Sequence, residues 1–449
     1  MLLASAYRSR IPAMSPANAK PYVDARRARA AASFHLHNEI VLVGSGAMVG
    51  KPGYQDQCYP FKAHTDYYYL TDRERPDSVL AYDPAGGWFD FVVQVTDEER
   101  VWTGDVPNEG LPIERLPAWL AERQGRSVAA LGARQSLPAG LSIDEALSAR
   151  LAETLLACRR PKDAEELGRM RRAAAASAAG YAAAFAALRP GMTERQLQVE
   201  LETGFWRAGA GRTAYDSIVG TGSNSAVLHF SPTERVIAEG DLVLIDAGGE
   251  VDGYCADVTR TYPASGHFSP EQRDLYSVVL EAEKKACAAC RPGKEFKQLH
   301  LECARDLAAG LVDMGVLRGN PDTLVERDTY ALFFPHGLGH LVGLGVRDAS
   351  GYLPGRARDT RPSLRYLRQD LPLGPGFVTT IEPGLYFIPA LVNNPELRAK
   401  YPNEVNWELA ERFLPIGGVR VEDNVLVTDG EPEILTAAIP KEAHEVERG

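Results

Sequence analysis

Four carboxylates stand in this chain where an isolated acid is costly, among apolar residues, glycines and prolines. Asp246 closes the run Leu242-Val243-Leu244-Ile245, and Asp257 follows eleven positions later, beyond Gly248, Gly249 and Gly253. Glu382 sits between Thr379-Thr380-Ile381 and Pro383-Gly384, and Glu422 follows Val419-Arg420-Val421. A carboxylate taken out of water in such a setting must meet a cation or hydrogen-bond donors.

Asp241 to Asp246 reads as a strand, Gly248 to Gly253 as a turn, and Tyr254 to Tyr262 as the returning strand. Such a hairpin brings both aspartates to one side of a sheet, with glycines that let the backbone pass close. Read alone, the pair fits two turn-associated aspartates equally well. Phe334-Pro335-His336-Gly337-Leu338-Gly339-His340 adds two of the chain's nine histidines, four apart across a glycine-rich turn. A lone histidine is more often a satisfied core residue than a ligand; this spacing favours a site. Glu382 reads as an acid within an apolar strand, fixed by Pro383 and Gly384. Arg420 and Glu422 share one face of a strand, an arrangement that is commonly just a solvated ion pair. Jointly, four carboxylates and the His340 imidazole suit Mn²⁺, Co²⁺ or Zn²⁺. That is more than one such ion needs. Two ions about 3.5–4 Å apart, sharing bridging carboxylates, can bridge a hydroxide and polarise a carbonyl.

At 449 residues the chain exceeds the size at which one core stops growing, so two domains are expected. Up to about residue 160 the pattern is mixed α/β. Glu39–Val43, Ser78–Tyr82 and Phe89–Val95 read as strands, the last two joined by the Asp83–Gly87 turn as a hairpin. Pro117–Gln124 and Ser142–Arg159 read as helices. Asp163 is a candidate N-cap for a helix over Ala164–Leu188, and Thr193 for one running to about Ala208. Beyond 213 the chain becomes strand-rich, with helices over Ser269–Arg291 and Phe296–Met314. Gly355–Gly374 and Ala390–Pro415 read as surface insertions suited to the cleft mouth or an interface, the second above all, although its Tyr401, Trp407 and acids also fit a plain solvated loop.

A net charge of −11 argues against a nucleic-acid partner. The sequence holds no apolar run of about 18 residues or more, so no membrane helix is expected. The six cysteines are scattered, which fits a reducing cytoplasm. Cys287-x-x-Cys290 has no second pair to complete a zinc site and reads as small residues packing on a helix. Met1–Arg10 is too short and too early in charge for a secretory signal. Its arginine and serine content is compatible with a transit peptide, but a loose tail is expected, with Met14 as an alternative start.

Together these segments resemble the pita-bread metallopeptidases, the family of methionine aminopeptidase, aminopeptidase P and prolidase. The resemblance covers most of residues 160–440, with the ligand motifs in the family's order. It implies an α+β protein: a small α/β N-terminal domain over residues 1–160, then a pita-bread (creatinase/aminopeptidase-type) catalytic domain over 161–449. It implies two divalent metal ions, Mn²⁺ foremost with Zn²⁺ or Co²⁺ compatible. Asp246 chelates one, His340 and Glu382 the other, and Asp257 and Glu422 bridge both. Tyr59-Pro60-Phe61, Thr65-Asp66-Tyr67-Tyr68-Tyr69-Leu70-Thr71, Val227-Leu228-His229-Phe230 and Asp257-Val258-Thr259-Arg260-Thr261-Tyr262-Pro263 are similar to aminopeptidase P. The implied reaction removes an N-terminal residue that precedes proline. Glu382 then shuttles a proton to the leaving prolyl nitrogen, His229 and His336 hydrogen-bond the substrate carbonyl or tetrahedral intermediate, and Arg420 supports the ligands. The family forms dimers or tetramers through or near the N-terminal domain, so a homodimer or homotetramer is expected.

One position departs from the family. The proline-specific peptidases usually carry a histidine where Arg347 stands, and an arginine cannot give up its proton at working pH. Arg347 fits instead a fixed charge that stabilises an oxyanion or clamps a substrate carboxylate. The clamp favours short substrates, as in prolidase, whose restriction to Xaa-Pro dipeptides is the alternative reading of this chain. A metal-free creatinase-like hydrolase and a catalytically inactive pita-bread binding module are disfavoured, because all five ligands are kept.

Overall fold

The computed structural model describes residues 20–53, 57–104 and 109–448; the N-terminal tail with Met14 lies outside them. The chain divides into two units after Arg159. In the first, α1 (Pro21–Phe34), β1 (Ile40–Gly44), α2 (Thr65–Thr71), β2 (Val79–Asp83), β3 (Gly87–Val92), α3 (Asp97–Thr103), β4 (Leu111–Pro112), α4 (Leu116–Ala121), β5 (Val128–Gly132) and α5 (Glu145–Arg159) follow in order. The sheet runs β4-β3-β2-β1-β5. Its inner strand β1, Ile-Val-Leu-Val-Gly, is buried throughout and apolar, as expected of a strand covered on both faces. It pairs antiparallel with β2 and parallel with β5. The predicted hairpin is β2–β3, with Val79 opposite Phe91. Ile40, Leu42, Val79, Phe91 and Trp119 share this unit's core. The aromatic stretch Thr65–Thr71 forms α2, and α1, α3 and β5 are elements the sequence pattern did not mark.

The second unit opens with α6 (Ala164–Ala187) and α7 (Glu194–Arg207). Asp163 and Thr193 close capping boxes with Glu166 and Gln196, as the sequence signals suggested. Then come β6 (Arg212–Thr213), β7 (Ile218–Thr221), β8 (Leu242–Asp246), β9 (Gly249–Val251), β10 (Tyr254–Cys255), β11 (Thr259–Pro263), α8 (Pro270–Ala288), α9 (Phe296–Asp313), α10 (Pro321–Glu326), β12 (Val378–Ile381), β13 (Gly384–Tyr386), α11 (Pro389–Val392), α12 (Pro395–Lys400), α13 (Trp407–Arg412), β14 (Gly418–Arg420), β15 (Asp423–Leu426), β16 (Glu433–Ile434) and α14 (Ala443–Val446). The strands form small sheets ordered β11-β8-β7, β12-β15-β16, β10-β9-β6 and β13-β14. Bridges between Thr259 and Glu422, and between Leu341 and Thr379, sew them together. One large core, running from Leu197 and Phe205 through Leu275 and Leu307 to Val425, backs them.

Three expectations need correction. Tyr254–Tyr262 is not one strand: Tyr254–Cys255 pairs with β9, whereas Thr259 onward pairs with β8. The chain crosses between these hairpins at Ala256–Val258, and it can do so because Gly248 lacks a side chain; a Cβ there would lie 1.9 Å from the Ala256 carbonyl oxygen. Glu382 does not lie within a strand; it occupies the break between β12 and β13, as Glu422 occupies the break between β14 and β15. The two proposed insertions are not surface loops. Within 390–415, Val392, Tyr401, Val405, Ala410 and Phe413 join the core, and the Tyr401 hydroxyl donates to the Arg327 carbonyl at 2.9 Å. Asn394 and Asn406, which cap α12 and α13, were the overlooked signals. Within 355–374, Leu364, Leu367, Leu371 and Leu373 are buried.

Candidate metal centre

Asp246 ends β8, and Thr259, two residues past Asp257, is its ladder partner on β11. Asp257 is held in the crossing by its backbone: its N–H donates to Asn424 Oδ1 at 3.0 Å and its carbonyl accepts from Asn424 Nδ2 at 2.6 Å. Glu422 is tied to the same place by its N–H, which donates to the Thr259 carbonyl at 3.0 Å. One carboxylate oxygen from each of Asp246, Asp257 and Glu422 lies within 4.8 Å of the others. His340 Nε2 is 3.4 Å from Asp257 Oδ2 and 3.9 Å from Glu382 Oε1. His340 Nδ1 lies 3.1 Å from the Leu341 carbonyl, which can only accept, so the ring proton sits on Nδ1 and the Nε2 lone pair faces the acids. The glycine before this histidine is required: a Cβ on Gly339 would lie 2.0 Å from the Thr380 carbonyl oxygen. The structure thus brings the five predicted residues together.

The cluster is short of positive charge. Burial, then the neighbouring acids, push Asp257 and Glu422 well above the usual carboxylate range. Burial also raises Glu382, to about 7, with Asp246 adding to the shift and Arg420, Arg347 and Arg368 working against it. Arg420 is buried and shared: it donates to Asp246, to Thr259 Oγ1 at 3.0 Å and to the Tyr386 hydroxyl at 2.7 Å. Burial holds His336 and His340 down at about 3, so both are neutral imidazoles at neutral pH. Two buried carboxylates, Asp257 and Glu422, and two half-buried ones, Asp246 and Glu382, facing one guanidinium and one neutral ring nitrogen form a donor set that fits divalent cations.

The remaining predicted residues surround this cluster. His336 Nδ1 is 2.9 Å from the Gly337 carbonyl and 3.8 Å from Glu382 Oε2, and its Nε2 lies 2.8 Å from the Tyr386 hydroxyl. With the proton on Nδ1, Tyr386 donates to His336 and accepts from Arg420, so a continuous chain runs Asp246–Arg420–Tyr386–His336. His229 is exposed; burial of part of its ring lowers its pKa, and the charges acting on it are Arg347, Asp246, Arg368 and Arg420. Arg347 is exposed and acts on Glu382, His340 and His229. Arg420 pairs with Asp246, and Thr259 Oγ1 links it to Glu422 Oε2 at 2.7 Å.

Sequence reasoning missed several residues. Tyr215 donates to Asp246 Oδ1 at 2.6 Å from a segment 31 residues away. Tyr386, Thr259 and Asn424 act only through contacts distant in sequence, so no local pattern marks them. Arg368 lies in the stretch taken for a surface insertion, and its charge reaches the same groups as Arg347. Cys287 and Cys290 are buried core residues with thiol pKa values raised by burial, and Cys287 donates to Glu283 at 2.9 Å.

Among the described residues no helix is long and apolar enough to cross a membrane. The profile of metallopeptidase family M24 matches residues 168–429, and that of the aminopeptidase P N-terminal domain matches residues 23–110. A probable Xaa-Pro aminopeptidase of Paracoccidioides lutzii is 34% identical over 421 residues, covering 87% of each chain. The Xaa-Pro aminopeptidase of Escherichia coli K12 is 32% identical over 426 residues, covering 87% of this chain and 89% of its own. The solved aminopeptidase of Pseudomonas aeruginosa superposes with a TM-score of 0.75 at 29% identity, covering 94% of this chain and 97% of its own. On these matches and on its pita-bread architecture, the chain belongs to metallopeptidase family M24, in its aminopeptidase P branch.

Proposed function

We propose that this protein is a metal-dependent Xaa-Pro aminopeptidase, hydrolysing the bond between an N-terminal residue and a following proline. The observation that carries the reading is the convergence of Asp246, Asp257, His340, Glu382 and Glu422 with Arg420 as the guanidinium in direct contact. Asp246 would hold one divalent ion and His340 with Glu382 a second, with Asp257 and Glu422 shared. Bound there, the ions supply Lewis acidity and a hydroxide-strength nucleophile at neutral pH. Mn²⁺ is the proposed native ion, with Zn²⁺ and Co²⁺ compatible with the same donors.

The protein's own groups account for the proton and for the geometry. An Xaa-Pro bond is a tertiary amide and offers no N–H for a peptidase to grip, and its nitrogen, like that of any amide, must receive a proton as it leaves. Glu382, beside His336 and His340, would hold that proton at a carboxylate oxygen and pass it to the prolyl nitrogen. His229 hydrogen-bonds the scissile carbonyl as negative charge develops on its oxygen; for His336 to do the same, its Nδ1 proton must turn from the Gly337 carbonyl to the substrate oxygen. Arg420, Tyr215 and Thr259 keep Asp246 and Glu422 aimed. Residues 1–160 form the aminopeptidase P-type N-terminal domain and 161–449 the catalytic domain of a cytoplasmic homodimer or homotetramer.

A second reading, prolidase, is favoured by Arg347 and Arg368, exposed guanidiniums whose charges both reach Glu382 and His229. Such a pair suits the free carboxylate of a dipeptide. Rates on Xaa-Pro, Xaa-Pro-Yaa and Met-Ala peptides, after chelation and metal add-back, decide between them. Cleavage of Xaa-Pro-Yaa with Met-Ala spared is expected; cleavage of Xaa-Pro alone selects prolidase. Absence of metal-dependent cleavage on every proline peptide would return the inactive binding module to first place.

A further inference from the structure

Residues 222–236 leave β7 after Thr221 and return to the sheet before β8, carrying exposed Val227 and His229 between their ends. Both ends meet on one carboxylate. Glu194, in the first turn of α7, is fully buried. Its Oε1 accepts from the Thr221 N–H at 3.0 Å, the Thr221 hydroxyl at 3.0 Å and Asn224 Nδ2 at 2.9 Å. Its Oε2 accepts from the Thr233 N–H at 3.1 Å and the Thr233 hydroxyl at 2.6 Å. All five donors are neutral and all belong to this segment or its flank. The next residue reinforces the far end: the Arg195 N–H donates to the Thr233 carbonyl at 3.0 Å and its guanidinium to the Pro232 carbonyl at 2.7 Å.

The two ends differ in their other restraints. Upstream, β7 is zipped to β8, whose last residue is Asp246, so that end is already referenced to the metal centre. Downstream, Thr233 has no ladder; the bridge between Thr193 and Val236 follows it. The Oε2 bonds therefore join the Arg195 bonds in tying the downstream end to the carboxylate that also holds Thr221. A carboxylate saturated by five hydrogen bonds is a stiff clamp, because releasing any donor leaves buried charge partly unsatisfied.

We propose that Glu194 is a positioning residue for substrate recognition: it pins the segment at both ends so that His229 is presented over the carboxylate cluster. The inference rests on the role given to His229 above. The metal ligands lie on β8, in the strand breaks and beside Gly339, so they do not depend on this clamp.

The test is a double-mutant cycle on the metal-loaded, full-length protein, with Glu194→Gln, His229→Ala and their combination. Glu194→Gln keeps the shape but turns an amide N–H₂ toward the Thr233 or Thr221 donors. It is expected to lower kcat/KM on Xaa-Pro-Yaa about ten- to a hundredfold, with the Mn²⁺ affinity of the chelated protein unchanged by calorimetry. The double variant is expected to be no worse than His229→Ala alone. Additive losses, or a loss of Mn²⁺ affinity parallel to the loss of rate, would overturn the clamp. If His229→Ala impairs turnover and Glu194→Gln does not, the inference alone fails. If His229→Ala leaves kcat/KM intact, the role given to His229 fails and the clamp falls with it. Thr233→Ala, which removes one exposed donor, applies the same cycle should Glu194→Gln not fold; a smaller loss in the same direction supports the clamp, and none overturns it.

Discussion

Arg420 illustrates how one buried residue couples chemistry to structure. It touches Asp246, Thr259 and Tyr386, and through Tyr386 it reaches His336. Arg420→Met removes the contacting cation and leaves Asp246 with Tyr215. Metal affinity, followed by titration of the chelated protein, is expected to fall about ten- to a hundredfold; an unchanged affinity would mean that Arg420 serves only substrate. The same crowding sets a pH dependence. Glu382 titrates near 7 in the fold against 4.5 for a free glutamate, and Asp257 and Glu422 are also raised. The stability tied to a raised carboxyl is complete below its unfolded value and is lost as pH rises through the folded one. His336 and His340, lowered to about 3 from 6.5, act oppositely: their contribution is complete above 6.5 and is lost as pH falls through 3. Above about pH 6.5 the raised carboxyls act, Glu283 (also raised to about 7) with them, so the Tm of chelated protein should decline there and Mn²⁺ should remove the part that belongs to the metal cluster. A flat Tm without metal would contradict this balance.

At the scale of elements, ligands lie where strands stop. Asp257, Glu382 and Glu422 occupy breaks at which a strand changes partner, because a side chain in a continuous ladder alternates faces and cannot turn into a shared point. These breaks depend on close backbone contacts. Gly339→Ala would drive a methyl group into the Thr380 carbonyl, beside the bond from the Thr380 N–H to the His340 carbonyl at 2.8 Å. A loss of about 1–3 kcal/mol is expected from such overpacking, together with weaker metal binding; thermal melts with and without Mn²⁺ separate the two. The helices with capping boxes and the apolar strands β1 and β8 were legible from local signals. The break at Ala256–Val258 was not, since it depends on which strand each segment meets.

Across the whole catalytic unit, the C-terminal segment braces the back of the site. Lys441 donates to both Glu283 oxygens, at 2.9 and 2.8 Å, and to Asp423 at 2.6 Å, joining α8 to the residue after Glu422. Arg260 completes the cluster, donating to Asp423 at 2.8 Å and to the Glu422 carbonyl at 2.7 Å. Lys441→Met strands the fully buried Glu283 and leaves Asp423 to Arg260, and a loss of about 3–5 kcal/mol is expected, measured by denaturant unfolding of metal-free protein. A change below about 1 kcal/mol would show that Glu283 is protonated and needs no cation there.

The amino-acid sequence by itself determined the family, the mixed architecture and the identity of the acids and histidines in the cluster. Those follow from residue type and local pattern: an acid at the end of an apolar run, a histidine among glycines, a cap before a helix. Tertiary structure alone decided that Tyr215, Tyr386 and Asn424 orient the ligands, that Arg368 joins Arg347, and that residues 390–415 belong to the core. It also decided that Glu194 gathers the segment bearing His229. Each of these is a contact between residues far apart in the chain, and a hydrogen bond across such a separation leaves no periodicity or spacing for a single sequence to display.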